Sequence, residues 1–413
     1  MRVKSIIFRS FLLTAFLLTA SKLSSDTWSG DSVISSRERI QEAREVNRRI
    51  QAVMKARNLD AIVLTRVRSQ AWALGGSDTR IVNAQQESPV WLLYSAGGRR
   101  YLISNNIEAG RLMEEEGLDD IGFQAKVFPW FYGIAGGKDE RWKAVDELVG
   151  GGQLGADAAL PHALDVSGDL ARARFPLTET EVKKMRWLGI RAAKAVADTC
   201  REISPGMKET DIAGILAGKV WKEHINPTVV LIGVDDRLNR YRHLTPTSRT
   251  LKKYALVNLC AERWGMTVAV SRLVHFGALS RDLDRRIRAC ARVDAAALSA
   301  SIPGAKFGDI FAFETDAYGQ AGYAGEWKQH HQGGAVGYFE REFLSCPEST
   351  EVVVEGMALA WNPTIAGVKV EDTVLVGKEG VEVLTLTPDW PMIKVEITGK
   401  TWERPGILVR PAP

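Results

Sequence analysis

The sequence predicts an α+β fold in two parts: a smaller α/β domain over residues 36–176 and a larger domain over residues 177–405. Three observations carry that prediction. A chain of 413 residues exceeds one ordinary domain. Helical and strand-like patterns alternate in the first part and become grouped runs of helices and strands in the second. Between the two, Thr178 and Glu181 form a capping-box pattern at the head of a long helical stretch.

Over residues 37–57, Ile40, Val46, Ile50, Val53 and Met54 recur at helical spacing among charges, which describes an amphipathic helix. Short β-like runs follow at residues 61–65, 90–94 and 101–104, with helical stretches within 107–116 and 140–149. The capped helix runs to about residue 203, where Ser204, Pro205 and Gly206 stop it. A second helix over 207–223, strands around Val229, Val257 and Val268, helices over 281–301 and 309–322, and a β-rich end over 358–384 complete the larger domain.

A composition of 45 % hydrophobic and 25 % charged residues is that of a soluble globular protein. Residues 1–24 read as a secretory signal peptide, with Arg2, Lys4 and Arg9 ahead of an apolar run over 11–20 that is too short to span a bilayer. The expected location is therefore secreted or periplasmic, with no membrane association after signal cleavage. Losing the three basic residues takes the formal charge from +4 to about +1, so nucleic acid is not expected as a partner. Cys200, Cys260, Cys290 and Cys346 are too few for a disulfide framework and match no zinc spacing, and they read as buried small apolar side chains.

Several segments in a fixed order carry a resemblance. TETEVKKMRWLGIRAAKAVADT is similar to the first helix of a pita-bread catalytic domain, and LVNLCAERWGMTVAVSRLVHFG to its paired strands, which run D-x-G-x-E-x-x-G-Y-x-x-D-x-T-R in peptidase members. HHQGGAVGYFERE resembles the H-G-T-G-H-G-x-G-x-x-x-H-E segment, and ALAWNPTIAGVKVEDTVLVGKEGVEVLT the closing strands with their Glu-Pro and R-x-E-D-T patterns. The chain thus resembles the creatinase, aminopeptidase P and prolidase family. That resemblance implies a pita-bread domain preceded by a smaller creatinase-type α/β domain, and a homodimer.

Family peptidases hold two divalent ions with two aspartates, one histidine and two glutamates. Matched position by position, Asn258 and Ala269 stand at the aspartates, Gly334 at the histidine and Asn362 at the first glutamate, while Glu371 alone keeps its carboxylate. One carboxylate cannot offset the four positive charges of two such ions. The sequence therefore implies no metal and no other cofactor.

His243 matches the family histidine that handles a proton beside the reacting centre, and histidine suits proton transfer near neutral pH. His330 matches the outer histidine of the H-G-T-G-H run, and His331 has no counterpart there. The candidate catalytic residues are His243, Glu371 and His331, with the neighbours of Glu371 expected, in the absence of a metal, to lift it toward a useful base. The candidate substrate-binding residues are Arg341, His330, Arg272, Asn258 and Asn362. Arg341 stands at a family histidine and suits a bidentate grip on a substrate carboxylate, and Arg272 is the nearest candidate partner for Glu371.

The function these residues suggest is metal-independent hydrolysis or elimination at a C–N bond of a small amino-acid-, guanidino- or peptide-like substrate. One alternative is a pseudopeptidase that binds such a ligand without turning it over. Another is a metallo-aminopeptidase with atypical ligands. Creatine itself is not implied, because Ala269 departs from the creatinase pattern as well.

Overall fold

The computed structural model describes residues 33–132 and 139–412, so the signal peptide expected over residues 1–24 lies outside the described residues. Helix makes up 35 % and strand 28 % of the structure, in the mixed α/β arrangement the sequence predicts.

The first sheet has six strands, in the spatial order Phe123–Phe128, Arg100–Asn105, Glu87–Ser95, Ala61–Arg66, Leu154–Ala156 and Leu164–Asp165. Side chains alternate across a strand, so Ala61–Arg66 serves two cores at once. Ile62 and Leu64 meet Val46, Ile50 and Met54 of the helix Ser36–Arg57. Ala61 and Val63 meet Ala144 and Val145 of the helix Glu140–Val149 on the opposite face.

The second part begins where its capping motif predicts. Thr178 accepts from the Glu181 backbone N–H while the Glu181 carboxylate accepts from the Thr178 N–H, and the helix Glu179–Glu202 follows. It packs on the long hairpin of Tyr254–Arg263 and Met266–Phe276, whose sheet also holds Asn226–Val234 and, at the other edge, Ile407–Arg410. A second sheet has the order Phe343–Leu344, Gly333–Ala335, Ala358–Trp361, Asp372–Val376 and Val381–Val383. One bridge, Ser271 to Glu371, joins the two sheets and places the two strands' polar residues in a shared cleft. The hairpin Met392–Ile397 with Lys400–Pro405 lies beyond the β-rich end read from the sequence and packs on the helix Arg281–Ala300.

Buried polar contacts tie the first sheet's elements to the second part. Lys184 Nζ contacts both oxygens of Glu42 at 2.7 and 2.8 Å and the Gly75 carbonyl at 2.9 Å, with Lys184 and Glu42 side chains 0 % exposed. Arg68 donates to Thr267 Oγ1 at 2.7 Å and to the Tyr338 carbonyl at 2.9 Å. Arg174 pairs with Glu342 at 2.8 Å, which leaves its neighbour Arg341 free of that carboxylate. Among the described residues, no helix is long and apolar enough to cross a membrane.

The helix Glu179–Glu202 reaches the end of the second sheet through Gly189, where a Cβ would lie 2.4 Å from the Leu384 carbonyl oxygen. Gly189→Ala should therefore destabilise the protein by about 1–3 kcal/mol, against the usual gain in helix propensity. Gly214, on an exposed helical face with open space around it, should show the ordinary gain of about 0.5–1 kcal/mol when changed to Ala. Urea denaturation of the two variants measures both signs, and a stabilising Gly189→Ala would disprove the close approach.

Candidate active site

Glu371 follows the short strand Val368–Lys369, and its carboxylate is almost wholly buried. Three donors converge on its Oε2 atom: Asn258 Nδ2 at 2.6 Å, Ser271 Oγ at 2.7 Å and Lys369 Nζ at 2.9 Å. Arg341 Nη2 stands 3.8 Å from Oε1. Lys369 and Glu371 are two residues apart in extended chain and so share a face, while Ser271 is directly paired with Asn258 in the hairpin register. Lys369 and Ser271 were missed in the sequence, although the K-V-E spacing is the signal that could have found the lysine.

Burial alone would raise the Glu371 pKa, but Lys369, Arg341 and the Ser271 hydroxyl outweigh it and hold the group below the ordinary carboxylate value. The expectation of a lifted, basic Glu371 is thus corrected. It is a fixed anion.

Arg272 needs a second correction. It points away from this cleft, where Nη2 pairs with Asp372 Oδ1 at 2.9 Å and donates to Thr387 Oγ1 at 2.8 Å. Alternation explains the difference, because Ser271 and Glu371 face the cleft while Arg272 and Asp372 face the other way. Arg272 is therefore a structural ion-pair partner rather than a substrate ligand.

The three histidines come together beside this group. His243 Nε2 and His330 Nε2 are 3.2 Å apart, and the rings of His330 and His331 stack at 4.4 Å between centroids. The loops that carry them are tied in place: Arg242 donates to Glu326 at 2.7 Å, and Gln332 Nε2 donates to the His330 carbonyl at 2.6 Å. Tyr318 in turn donates to Gln332 Oε1 at 2.9 Å. Asn362 sits next to the pair through its backbone bond to the Gln332 carbonyl at 3.0 Å, and its Oδ1 is buried with no donor.

Burial, then Lys369, pushes His330 down to about 2. Burial, then Arg341, pushes His331 down to about 4, and His243 is lowered by burial and Lys369. All three rings are consequently neutral near pH 7. His243 lines an open cavity of about 850 Å3 with Tyr241, Arg242, Tyr323 and Gln329. Arg341 lines another of about 320 Å3 with Arg66, Arg174 and Phe339.

These residues do not fit a pair of divalent ions. Ala269 has no ligand atom, Asn258 turns its NH2 group toward Glu371, and the Glu371 oxygen is already taken by an ammonium and two further donors. At Gly334, φ is +150° and a Cβ would lie 2.1 Å from the Phe343 carbonyl oxygen, so no side chain is accommodated there. The histidine trio has ring nitrogens within 4.8 Å of one another, the right ligand type for zinc. Yet burial first, and then Lys369 and Arg341, disfavours positive charge on these rings, and the same two cations oppose a dication there.

Comparison with known proteins agrees with this architecture. Residues 183–378 match the model of metallopeptidase family M24. That stretch of the carboxy-terminal domain thus resembles an M24 peptidase domain. This chain is 26 % identical over 243 residues to an uncharacterized peptidase of Staphylococcus epidermidis, covering 55 % of this chain and 67 % of the relative. Among solved structures it is similar to dipeptidase PepE from Mycobacterium ulcerans, with a TM-score of 0.71, 18 % identity and coverage of 90 % and 99 % of the two chains. An Xaa-Pro dipeptidase from Bacillus anthracis gives a TM-score of 0.68 at 19 % identity over 89 % of this chain and 100 % of that one. At such identity these structures establish the shared fold, including the domain that precedes the peptidase-like part.

The buried neutral histidines make stability depend on acid. In the unfolded chain they protonate near 6.5, but in the folded one only at about 4 for His331 and about 2 for His330. Folded pKa values below the unfolded ones mean stability is complete above pH 6.5 and is lost as the pH falls through the window below it. Between about pH 6.5 and about pH 4 the loss should be on the order of 1 kcal/mol per pH unit for each histidine. Glu371 adds a further loss only below its ordinary value of 4.5. Urea denaturation across this range should give a slope that His331→Gln reduces, and an unchanged slope would rule out a neutral buried His331.

Proposed function

We propose that this protein is a hydrolase or lyase of the M24 fold that breaks a C–N bond of a small amino-acid-, guanidino- or peptide-like substrate without the family's two-metal centre. The observation that carries the reading is the contact of neutral His243 and His330 at 3.2 Å beside a fixed Arg341–Glu371 pair. A neutral imidazole at the wall of an open cavity is the right group to take a proton and return it to a leaving nitrogen.

In this reading His243 is the proton-transfer group. His330 hydrogen-bonds to it and fixes its tautomer and orientation, and His331 stacks on His330. Arg341, with Nε buried and without an acceptor, is left with donors for a substrate carboxylate, the planar fork that such a group fits best. Glu371 stays ionised and orients the cations around it. Asn258 and Asn362 add amide groups, and the orphaned Asn362 Oδ1 would accept from a substrate N–H. The protein acts in this proposal as an exported homodimer, and its partners are the small substrate and its own second copy.

A thermal-shift screen of carboxylate-bearing guanidino, amide and amino-acid compounds comes first. With a substrate in hand, His243→Ala should lower kcat by about two to four orders of magnitude, the usual worth of a general acid or base. Arg341→Ala should act mainly on KM. Turnover and melting temperature should be indifferent to EDTA, since no step or core contact uses an ion. Turnover unchanged in His243→Ala would refute the assignment, and a tight ligand that is never transformed would replace the enzyme with a binding protein.

A further inference from the structure

Four arginines line the cavity of about 320 Å3 between the first sheet and the segment that carries Arg341. Arg66 ends the strand Ala61–Arg66, while Arg172 and Arg174 lie at the end of the helix Ser167–Ala173. Three carboxylates share the same wall, so what the cavity binds depends on which groups have hydrogen bonds to spare. Asp157 has none: it accepts from the Thr65 N–H at 2.8 Å, the Thr65 hydroxyl at 2.9 Å and the Arg66 N–H at 3.0 Å. Glu342 accepts from the Tyr338 and Phe339 N–H groups at 3.0 and 3.2 Å and from Arg174 at 2.8 Å. Glu351 faces Arg172 at 3.6 Å.

The donors, by contrast, are in surplus. The Arg66 guanidinium makes no hydrogen bond or ion pair among the described residues, while Asp157 fixes its main chain. Asp165, the carboxylate that senses the Arg66 charge, already accepts from the Ser167 N–H at 2.8 Å. Arg174 lies over the Trp72 and Phe339 rings at 5.3 and 4.9 Å, its side chain is 4 % exposed, and its Nε has no acceptor. Arg341 Nε is likewise buried without one. A wall of filled acceptors and unfilled guanidinium donors selects an oxyanion. On its other side Arg341 stands 3.8 Å from Glu371 Oε1, whose charge repels such a group and favours its entry into the cavity.

We propose that this cavity is an oxyanion subsite in which Arg66 of the first domain and Arg341 together hold the acidic end of the substrate, a phosphate or a carboxylate. The inference deepens the reading of Arg341 as the substrate's anion anchor and rests on it. It adds that the anchor is built from both domains and that Arg66 sets the specificity. The substrate class narrows to compounds whose oxyanion extends past Arg341, away from the histidines.

Inorganic phosphate and succinate serve as probes, so the test needs no turnover. Either probe, at roughly ten times its dissociation constant, should raise the wild-type melting temperature by about 2–4 °C over chloride at equal ionic strength. Arg66→Gln should melt like the wild type in chloride and bind the probe about tenfold more weakly by calorimetry, with Arg66→Lys in between. Arg186→Gln, which removes an exposed pair with Glu382, should bind like the wild type.

A response to phosphate alone points to a phosphorylated substrate and one to succinate alone to a carboxylate, and either supports the subsite. No response beyond chloride, or equal binding by wild type and Arg66→Gln, overturns it. A folding defect in Arg66→Gln overturns it too, since a guanidinium without a partner has nothing to lose. Binding that falls in Arg341→Gln but not in Arg66→Gln overturns the two-domain subsite and leaves the anchor of the proposed function standing. Binding that falls in Arg66→Gln but not in Arg341→Gln overturns that anchor and this inference together.

Discussion

The architecture of the cleft depends on a buried chain of charges behind it. Arg272 pairs with Asp372 Oδ1 at 2.9 Å, Arg404 with Asp372 Oδ2 at 2.7 Å, and Arg404 also with Asp294. Two cations and two anions alternate, so each is compensated, while the Thr385 hydroxyl donates to Asp372 and the Thr387 hydroxyl accepts from Arg272. The chain fastens the hairpin strand Met266–Phe276, the strand Asp372–Val376, the helix Arg281–Ala300 and the late strand Lys400–Pro405 to one another. With Asp372 fixed on one side, the preceding residue must face the other. That is why Glu371 enters the cleft opposite Ser271 and not into a core.

On the cleft side the electrostatic logic is reversed. There the cations outnumber the carboxylate, and the surplus sets the state of everything nearby. It keeps Glu371 ionised in spite of its burial, and it adds to the larger effect of burial in keeping three clustered imidazoles unprotonated. Burial and this surplus of cations together leave an anion beside neutral imidazoles, the division of charge that acid–base chemistry needs.

Much of the fold was legible in the sequence, because local signals and global structure agree there. The Thr178–Glu181 box, the amphipathic helix Ser36–Arg57 and the apolar hairpin strands all carry short-range patterns that survive into the structure. Elements whose burial is one-sided or slight were not read. The edge strand Phe123–Phe128 is largely exposed, and the hairpin Met392–Ile397 with Lys400–Pro405 mixes charged and apolar residues. At the site, His243, His330, His331, Arg341, Asn258 and Glu371 do converge. Arg272 misled because a charge in a strand gives no sign of which face it occupies until its partner strand is known. Lys369 was passed over because a motif match draws attention to the carboxylate it contains and not to the cation beside it.

The main chain at Gly334 sets a limit on the pocket as well as its shape. With φ at +150° and a neighbouring carbonyl 2.1 Å from where a Cβ would sit, the strand has settled closer to Phe343 than any side chain permits. A histidine could not be placed there by one substitution, since the adjoining strand would have to retreat before the imidazole had room. Each small step toward a metal site would cost stability and bring no ligand. In the metal-free reading proposed above, the backbone at Gly334 thus limits the pocket to the side chains that already line it.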